Sequence, residues 1–266
     1  MLWKLYNPML TLLTDFGTRD VYVGAMKGVI AQINPQLTVV DLTHEVPPQD
    51  IAAARFCLMD AYLYFPVGTV HLAVVDPGVG SMRRAIAVQF AKGYLVGPDN
   101  GIFGGVLSES TAIAAVELTN SKYWRTPQPS RTFHGRDIFA PVAAYLSCGV
   151  PLKQLGEPIA PTTLVQLDIA KCTATETGIS GSIQYIDHFG NLVTNIPGSD
   201  VLGRNWNIEV AGITIPNCST YNEVNVGEAI ALVGSHGWVE IAVNNGNARS
   251  QLQIELGVVV VVYFDC

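Results

Sequence analysis

Three side chains that follow apolar runs have the chemistry to activate a small oxygen nucleophile. Asp76 and Arg83 lie in the loop V-V-D-P-G-V-G-S-M-R-R, and His134 lies in R-T-F-H-G-R-D. Apolar runs that open into glycine-rich loops are where α/β enzymes carry active-site residues. A carboxylate or an imidazole can orient or deprotonate water, while a guanidinium cation stabilises the developing negative charge. A structural Asp–Arg pair and a loop histidine are the alternatives.

Two acidic residues in the first loop, L-T-D-F-G-T-R-D, are candidates for binding a sugar or an ammonium group. Asp15 directly follows an apolar run, and its carboxylate can accept hydrogen bonds from a ribose diol or cap a turn. Asp20 lies before a helical pattern, where a helix cap is the alternative to ligand binding.

Later motifs suit a ligand that carries both a base and an amino-acid group. Y-I-D-H-F-G-N-L-V-T-N-I supplies an anion in Asp187, a stacking ring in Phe189 and an amide in Asn191. The same D-H-F-G-N segment is also typical of a hairpin turn. Ser235 in V-G-S-H-G offers a hydroxyl and nearby N–H groups for a carboxylate, or forms another turn.

Composition excludes several classes of partner. A net charge of −7 and a pI near 5.1 argue against binding to nucleic acid or an anionic membrane surface. The longest apolar run, 258–264, is far shorter than the roughly 20 residues that cross a bilayer. With 49% apolar and only 14% charged residues, we expect surface to be buried in an oligomer.

The cysteines and histidines indicate the redox compartment and whether a metal site is expected. The five cysteines are odd in number and lack C-x-x-C spacing, which favours a reduced, cytoplasmic setting. The other histidines show no H-x-x-H or Cys/His grouping, so we expect no metal site.

Apolar periodicity predicts an α/β chain of two domains. Strand-like and helix-like segments alternate over the first 150 residues, which is typical of βαβ units and a mostly parallel sheet. The opening segment lacks the pattern of a cleaved leader, and residues 9–13 are read as the first strand. The further predicted strands are 37–42, 70–75, 85–90 and 94–96, and the predicted helices are 21–33, 50–64 and 138–146.

Beyond about residue 178 the helical pattern disappears. Short strand-like runs recur there, which predicts a small antiparallel sheet or barrel. These runs are 181–186, 208–210, 213–215, 229–233, 239–243, 252–256 and 258–264. We therefore assign residues 1–165 to a Rossmann-like α/β domain and residues 175–266 to a C-terminal β-barrel.

Six motifs, taken in order, resemble one family. They are L-T-D-F-G-x-x-D-x-Y-V-G-x-M-K-G, D-L-T-H-E-V-P-P-Q-D-I, V-V-D-P-G-V-G, G-P-D-N-G, T-F-H-G-R-D-I-F-A-P-V-A and I-D-H-F-G-N-L-V-T-N-I. From about residue 9 to its end, the chain resembles the adenosine-forming S-adenosyl-L-methionine (SAM) hydrolases, also called SAM hydroxide adenosyltransferases. These are relatives of fluorinase and chlorinase. The resemblance implies a homotrimer with SAM sites between the N-terminal domain of one subunit and the C-terminal domain of the next.

The resemblance also implies a role for each candidate residue. Asp76, Arg83 and His134 become the catalytic residues. The substrate-binding set is Asp15 for the ribose hydroxyls, Asp20 and Asp187 for the methionine ammonium, Ser235 for its carboxylate, and Phe189 and Asn191 for adenine. No metal and no cofactor are implied, since SAM is the substrate. Gln49 and His236 depart from fluorinase, which has a tryptophan and an arginine there.

The implied reaction is attack of water or hydroxide on ribose C5′ of SAM, which releases adenosine, methionine and a proton. A SAM-dependent halogenase is one alternative, although a carboxylate at Asp76 would repel a halide. A SAM- or adenosine-binding sensor without turnover is another.

Overall fold

The computed structural model describes residues 9–264, so the predicted lead into the first strand at residues 1–8 lies outside it, as does Cys266. The chain divides into two compact units, Met1–Leu167 and Asp168–Cys266. Within the described residues, no helix has both the length and the apolar character needed to cross a membrane.

The first unit is a seven-stranded sheet with helices. Its strands are β1 (Met9–Thr14), β2 (Thr38–Thr43), β3 (Thr69–Val74), β4 (Ala85–Phe90), β5 (Gly93–Pro98), β6 (Ala112–Glu117) and β7 (Glu157–Ile159). Its helices are α1 (Tyr22–Ile33), α2 (Ile51–Ala61), α3 (Gly104–Glu109), a π-helix (Gly135–Phe139) and α4 (Ala140–Ser147). Short 3-10 helices occur at Tyr62–Tyr64, Ser121–Tyr123, Leu152–Gln154 and Pro161–Thr163.

The sheet of the first unit is mixed, with the order β2-β1-β3-β5-β4-β6-β7. The pairings among β2, β1, β3 and β5 are parallel, and those from β5 through β4 and β6 to β7 are antiparallel. Only Ala91 and Lys92 separate β4 from β5, which is too short for a parallel crossover, so the direction reverses there. The predicted α/β class is confirmed.

The connections define where a ligand site is expected. Strands β2 and β3 are the two neighbours of β1 in the sheet. Helix α1 connects β1 to β2, and α2 connects β2 to β3. The crevice between the carboxyl ends of β1 and β3, here called the strand-switch crevice, is therefore the topological switch point. Buried residues of β1, β3 and the flanking helices form the core beneath it, among them Leu12, Met26, Leu72, Phe139 and Val142.

The second unit is an antiparallel sheet that nearly closes into a barrel, as predicted. Its strands are β8 (Thr173–Ala174), β9 (Gly178–Ile186), β10 (Leu192–Pro197), β11 (Trp206–Val210), β12 (Ile213–Pro216), β13 (Ala229–Val233), β14 (Trp238–Val243) and β15 (Val259–Phe264). The order is β12-β11-β15-β9-β10-β14-β13, and β8 pairs with β9. A bridge between Asn217 and Ala231 brings the two edges together. Short 3-10 helices occur at Gly198–Asp200 and Tyr221–Glu223.

Two local predictions are wrong. The predicted strand 252–256 does not form, because helix α5 (Ala248–Leu252) precedes a turn there. The Asn247 side chain caps this helix by accepting a hydrogen bond from Ser250 N at 2.8 Å. Asp20 is not a helix cap either, since α1 has Val21 at its N-cap and no side-chain cap hydrogen bond.

Candidate active site

The carboxyl edge of the first sheet gathers the predicted catalytic residues. Because β1 and β3 run parallel, Asp15 and Asp76 follow strands that end at the same edge. Arg83 precedes β4, which runs antiparallel to β5 and therefore starts where β5 ends. The reversal at β4 is thus what brings Arg83 to the strand-switch crevice.

Arg83 joins Asp76 and His134 into one contiguous cluster. Its Nε donates to the two carboxylate oxygens of Asp76 at 2.9 and 3.1 Å, and its Nη2 also pairs with Asp76 Oδ2. The same Nη2 lies 2.8 Å from His134 Nδ1. The Arg83 and Asp76 side chains are only 10% and 6% exposed, so their ion pair is largely desolvated.

The contact with Arg83 fixes the protonation of His134. A guanidinium has only donors, so His134 Nδ1 must accept and the ring proton is on Nε2. Burial, and then the charge of Arg83, lower the pKa of His134 below its ordinary 6.5, against the opposing effects of Asp76 and Asp137. At neutral pH His134 is therefore uncharged, with an Nε2–H group to donate.

The backbone after His134 forms an unusual turn. Residues Gly135–Phe139 adopt a π-helix, a rare form that is frequent at functional sites. Gly135 is buried, and a Cβ there would come within 3.3 Å of both Met26 Sδ and the Phe133 ring. A side chain at this position would require Met26 or Phe133 to shift by a small amount.

Asp137 is a buried anchor of the π-helix. Its carboxylate accepts from Arg125 Nε at 2.6 Å, Arg136 Nε at 2.7 Å and Ser130 N at 2.9 Å. Burial alone would raise the pKa of Asp137, but the hydrogen bonds from the two arginines outweigh it and hold the pKa well below its ordinary value.

The segment G-P-D-N-G at 97–101 contributes polar side chains that hold the residues next to the site. Arg84 Nε donates to Asp99 Oδ2 at 2.8 Å, and Arg84 Nη1 donates to Thr163 Oγ1 at 3.0 Å. Asn100 Nδ2 donates to Val75 O at 2.8 Å, at the end of β3. The sequence patterns did not identify these side chains as part of the site. The available signal was an Asp-Asn pair between two glycines.

The two acidic residues of the first loop have different surroundings. Asp15 Oδ2 accepts a hydrogen bond from Gln49 N at 2.8 Å. Gln49 has φ 68°, a left-handed conformation that is unusual for a residue with a side chain and that concentrates at functional sites. Asp20 is exposed and lines a surface cavity with Asp41 and His44.

Asp187, Phe189 and Asn191 form the turn between β9 and β10. Asn191 donates from its backbone N and its Nδ2 to the two carboxylate oxygens of Asp187, at 2.8 and 3.0 Å. Gly190 has φ 84° and donates its N–H to Asp187 O at 3.0 Å. The local geometry is thus that of a hairpin turn, and it leaves the Phe189 ring 71% exposed and accessible for stacking.

Ser235 lies in the turn between β13 and β14, at the other end of β10. In the antiparallel pairing of β10 with β14, Leu192 lies opposite Ile241 and Pro197 lies opposite Trp238. Gly198 N also donates to Gly237 O at 2.7 Å. Ser235 therefore flanks the end of β10, whereas the Asp187 turn flanks its start.

A buried polar chain lies between these two turns. Glu240 is 3% exposed, accepts from Tyr221 OH at 2.9 Å and lies 3.0 Å from His236 Nε2. His236 Nδ1 in turn accepts from Trp238 N at 3.1 Å. Burial, followed by the hydrogen bond to Glu240, raises the pKa of Tyr221 to about 12, and the charge of Asp187 adds to the effect.

Cysteines and metal-ligating side chains do not group together in residues 9–264. Cys148, Cys172 and Cys218 are free thiols. This part of the chain has no group of three or more His, Cys, Asp or Glu side chains arranged to hold a metal ion.

Comparison with known proteins matches both units. Residues 10–156 match the family model of the SAM hydroxide adenosyltransferase N-terminal domain, and residues 181–261 match that of the C-terminal domain. An (R)-S-adenosyl-L-methionine hydrolase of Salinispora tropica is 41% identical over 255 residues, which cover 94% of this chain and 96% of that protein. A fluorinase of Actinoplanes sp. is 28% identical over 291 residues, covering 96% and 97%. The crystal structure of an uncharacterized conserved protein from Thermotoga maritima has a TM-score of 0.90 at 36% identity, and covers 96% of this chain and 100% of that chain.

Proposed function

The chain belongs to the SAM hydroxide adenosyltransferase family, and from this membership we propose that it hydrolyses SAM to adenosine, L-methionine and a proton. The 41% identity to a SAM hydrolase along nearly the whole of both chains supports this reaction. In the structure, the observation that carries the proposal is the contact of Arg83 with both Asp76 and His134 at the strand-switch crevice.

The reaction mainly requires the protein to align the water with C5′ and to stabilise charge. An oxygen of water forms a bond to C5′, the C5′–S bond breaks, and its electron pair returns to the methionine sulfur. The positively charged sulfonium is already a good leaving group. The remaining tasks are to hold water in line behind C5′ and to stabilise the hydroxide character that develops on it.

We propose different roles for the three catalytic residues. His134 Nδ1 is occupied by Arg83, so its Nε2–H can donate to the water but cannot take a proton from it. Asp76 retains lone pairs beyond those that Arg83 uses, because a carboxylate has about four acceptor sites. Asp76 therefore accepts the proton, His134 orients the water, and Arg83 stabilises its negative charge.

The substrate-binding roles form a second part of the proposal. Asp15, at the strand-switch crevice, holds the ribose hydroxyls, and the exposed ring of Phe189 stacks on adenine beside Asn191. The ammonium of methionine is assigned to Asp20 and Asp187, and its carboxylate to Ser235.

We also propose a homotrimer that works in the cytoplasm without metal or cofactor. The family resemblance supports a trimer in which each SAM site draws on the N-terminal domain of one subunit and the C-terminal domain of the next. The free thiols in residues 9–264 support a reducing compartment. Light scattering of the purified protein should give a mass about three times that of the 28.6 kDa chain.

Halogenation of SAM is the alternative reaction, and the fluorinase at 28% identity is the relative that favours it. Asp76 opposes it, because a buried carboxylate at the nucleophile position repels a halide ion. The two are separated by incubating the protein with SAM in the presence and absence of chloride. Equal amounts of adenosine and methionine are expected in both, whereas a chlorinated nucleoside would overturn the proposal. Bound adenosine without methionine release would indicate a sensor.

A further inference from the structure

The segment D-L-T-H-E-V-P-P-Q-D-I has no role in the proposed mechanism, yet it is tied to the loop that carries Asp15. It runs from the end of β2 to the start of α2. Four hydrogen bonds join it to residues 14–18: Thr14 Oγ1 with His44 Nδ1 at 2.8 Å, Gly17 N to His44 O at 2.8 Å, Thr18 Oγ1 to Glu45 Oε1 at 3.1 Å, and Gln49 N to Asp15 Oδ2 at 2.8 Å. One residue, His44, supplies two of them.

His44 is held from behind by a charged pair. His44 is 5% exposed. Its Nε2 lies 3.1 Å from Asp41 Oδ1, which is an electrostatic contact without the alignment of a hydrogen bond. Asp41 Oδ2 pairs with Lys27 Nζ at 2.6 Å. The carboxylate favours the ring proton on Nε2, which leaves His44 Nδ1 as an acceptor for the Thr14 hydroxyl.

The contact with Thr14 extends directly to the residues beside Asp15. Thr14 Oγ1 also accepts a hydrogen bond from Phe16 N at 3.2 Å. The chain on both sides of Asp15 is therefore fixed by a hydroxyl whose own proton is directed to His44. Since the His44 carbonyl also binds Gly17 N, the ring and the backbone of one buried residue define this loop.

We propose that His44 is a positioning residue that holds the Asp15 carboxylate toward the strand-switch crevice, where it binds the ribose diol. The inference rests on the proposed function, which makes Asp15 the ribose ligand. In this proposal His44 acts through Asp15 and not on the reacting atoms. Its loss should therefore weaken recognition of the diol and leave the chemical step largely intact.

Two substitutions separate the contacts of His44. In His44→Asn the amide oxygen reaches the place of Nδ1 and can accept from Thr14, whereas in His44→Gln the amide reaches toward Asp41 and the Thr14 bond is lost. We expect H44Q to raise KM for SAM about tenfold with kcat within about twofold of wild type, and H44N to have a smaller effect. A change in kcat alone, or equal changes in both variants, would overturn the assignment.

The decisive readout is discrimination between adenosine and 2′-deoxyadenosine by titration calorimetry, which needs no turnover. Wild type should bind adenosine more tightly, and this preference should shrink in H44Q and persist in H44N. An unchanged preference in H44Q would overturn the role of His44 and leave the proposed hydrolase standing. A wild type that binds neither nucleoside would refute both.

A double-mutant cycle tests whether His44 acts through Asp15. In an Asp15→Asn background, H44Q should add little further loss of the preference for adenosine. Full additivity of the two losses would contradict the inference. If thermal unfolding shows that H44Q does not fold, Thr14→Val removes the same hydrogen bond from the other side, together with the one from Phe16 N, and the same outcomes apply.

Discussion

Arg83 Nη2 lies 2.8 Å from His134 Nδ1, and because a guanidinium can only donate, that histidine nitrogen must be unprotonated. The same arginine pairs with Asp76. An imidazole held as an acceptor by a permanent cation is a poor general base. This contact is the basis for the separate roles proposed above for Asp76, Arg83 and His134.

The protonation of His134 predicts the acid limb of the pH profile. Its pKa is lowered from 6.5 by burial and by Arg83, so neutral His134 persists below pH 6.5. We expect kcat/KM to stay level as the pH falls through 6.5 and to decline only below it. A decline centred at or above pH 6.5 in a steady-state pH series would contradict this assignment.

The same shift has a consequence for stability. The unfolded histidine binds a proton near pH 6.5, whereas folded His134 binds it only at lower pH. The contribution of His134 to the free energy of unfolding is thus complete above pH 6.5 and declines as the pH falls below it.

Asp76→Asn should abolish most turnover while SAM still binds. The amide keeps the shape of the carboxylate but cannot accept a proton, and a positioned base contributes about 100- to 10,000-fold. Single-turnover adenosine formation measures the loss, and calorimetry measures SAM affinity. Full turnover with intact SAM binding would exclude Asp76 as the base.

Arg83 and Arg84 form a matched pair, because each binds a largely buried aspartate but only Arg83 contacts His134. Arg83→Met should lower kcat about 100-fold or more, through loss of charge stabilisation at the water. Arg84→Met should mainly lower stability, by about 3 kcal/mol, because it leaves Asp99 buried without its cation. Activity per folded molecule and thermal unfolding separate the two effects, and a similar kcat loss in both variants would contradict the division.

Phe189→Ala tests the adenine contact. Because this ring is 71% exposed, its removal should leave the unfolding temperature nearly unchanged. Loss of one base-stacking contact should weaken adenosine binding by about tenfold. Leu202→Ala, at an 81% exposed position of the same unit, is the control and should bind adenosine like wild type. Unaltered binding by the Phe189 variant would remove it from the site.

The parts of the fold and site that depend on local sequence pattern can be predicted from the sequence. The strand before Asp76 and the turn chemistry around Asn191 are visible in short windows, and the two-residue link at Ala91 and Lys92 requires an antiparallel pair. Helix α5 shows the limit, because the apolar residues after 252 resemble a strand unless the Asn247 cap is given more weight.

Other features depend on contacts between distant residues, which no local pattern contains. The bond between Thr14 and His44 spans 30 residues, and the one between Arg84 and Thr163 spans 79. The close approach of Gly135 in the π-helix to Met26, more than 100 residues earlier, is likewise absent from any short window of sequence. Such features require the assembled sheet.

The most direct measurement of the central claim is hydrolysis of SAM in ¹⁸O-labelled water, with a metal chelator present, and with or without chloride. Mass spectrometry of the products locates the incoming oxygen. We expect one ¹⁸O atom at the 5′ position of adenosine and an equal amount of unlabelled methionine, unaffected by chelator or chloride. Label in methionine, release of free adenine, a chlorinated nucleoside or unchanged SAM would contradict attack of water at C5′.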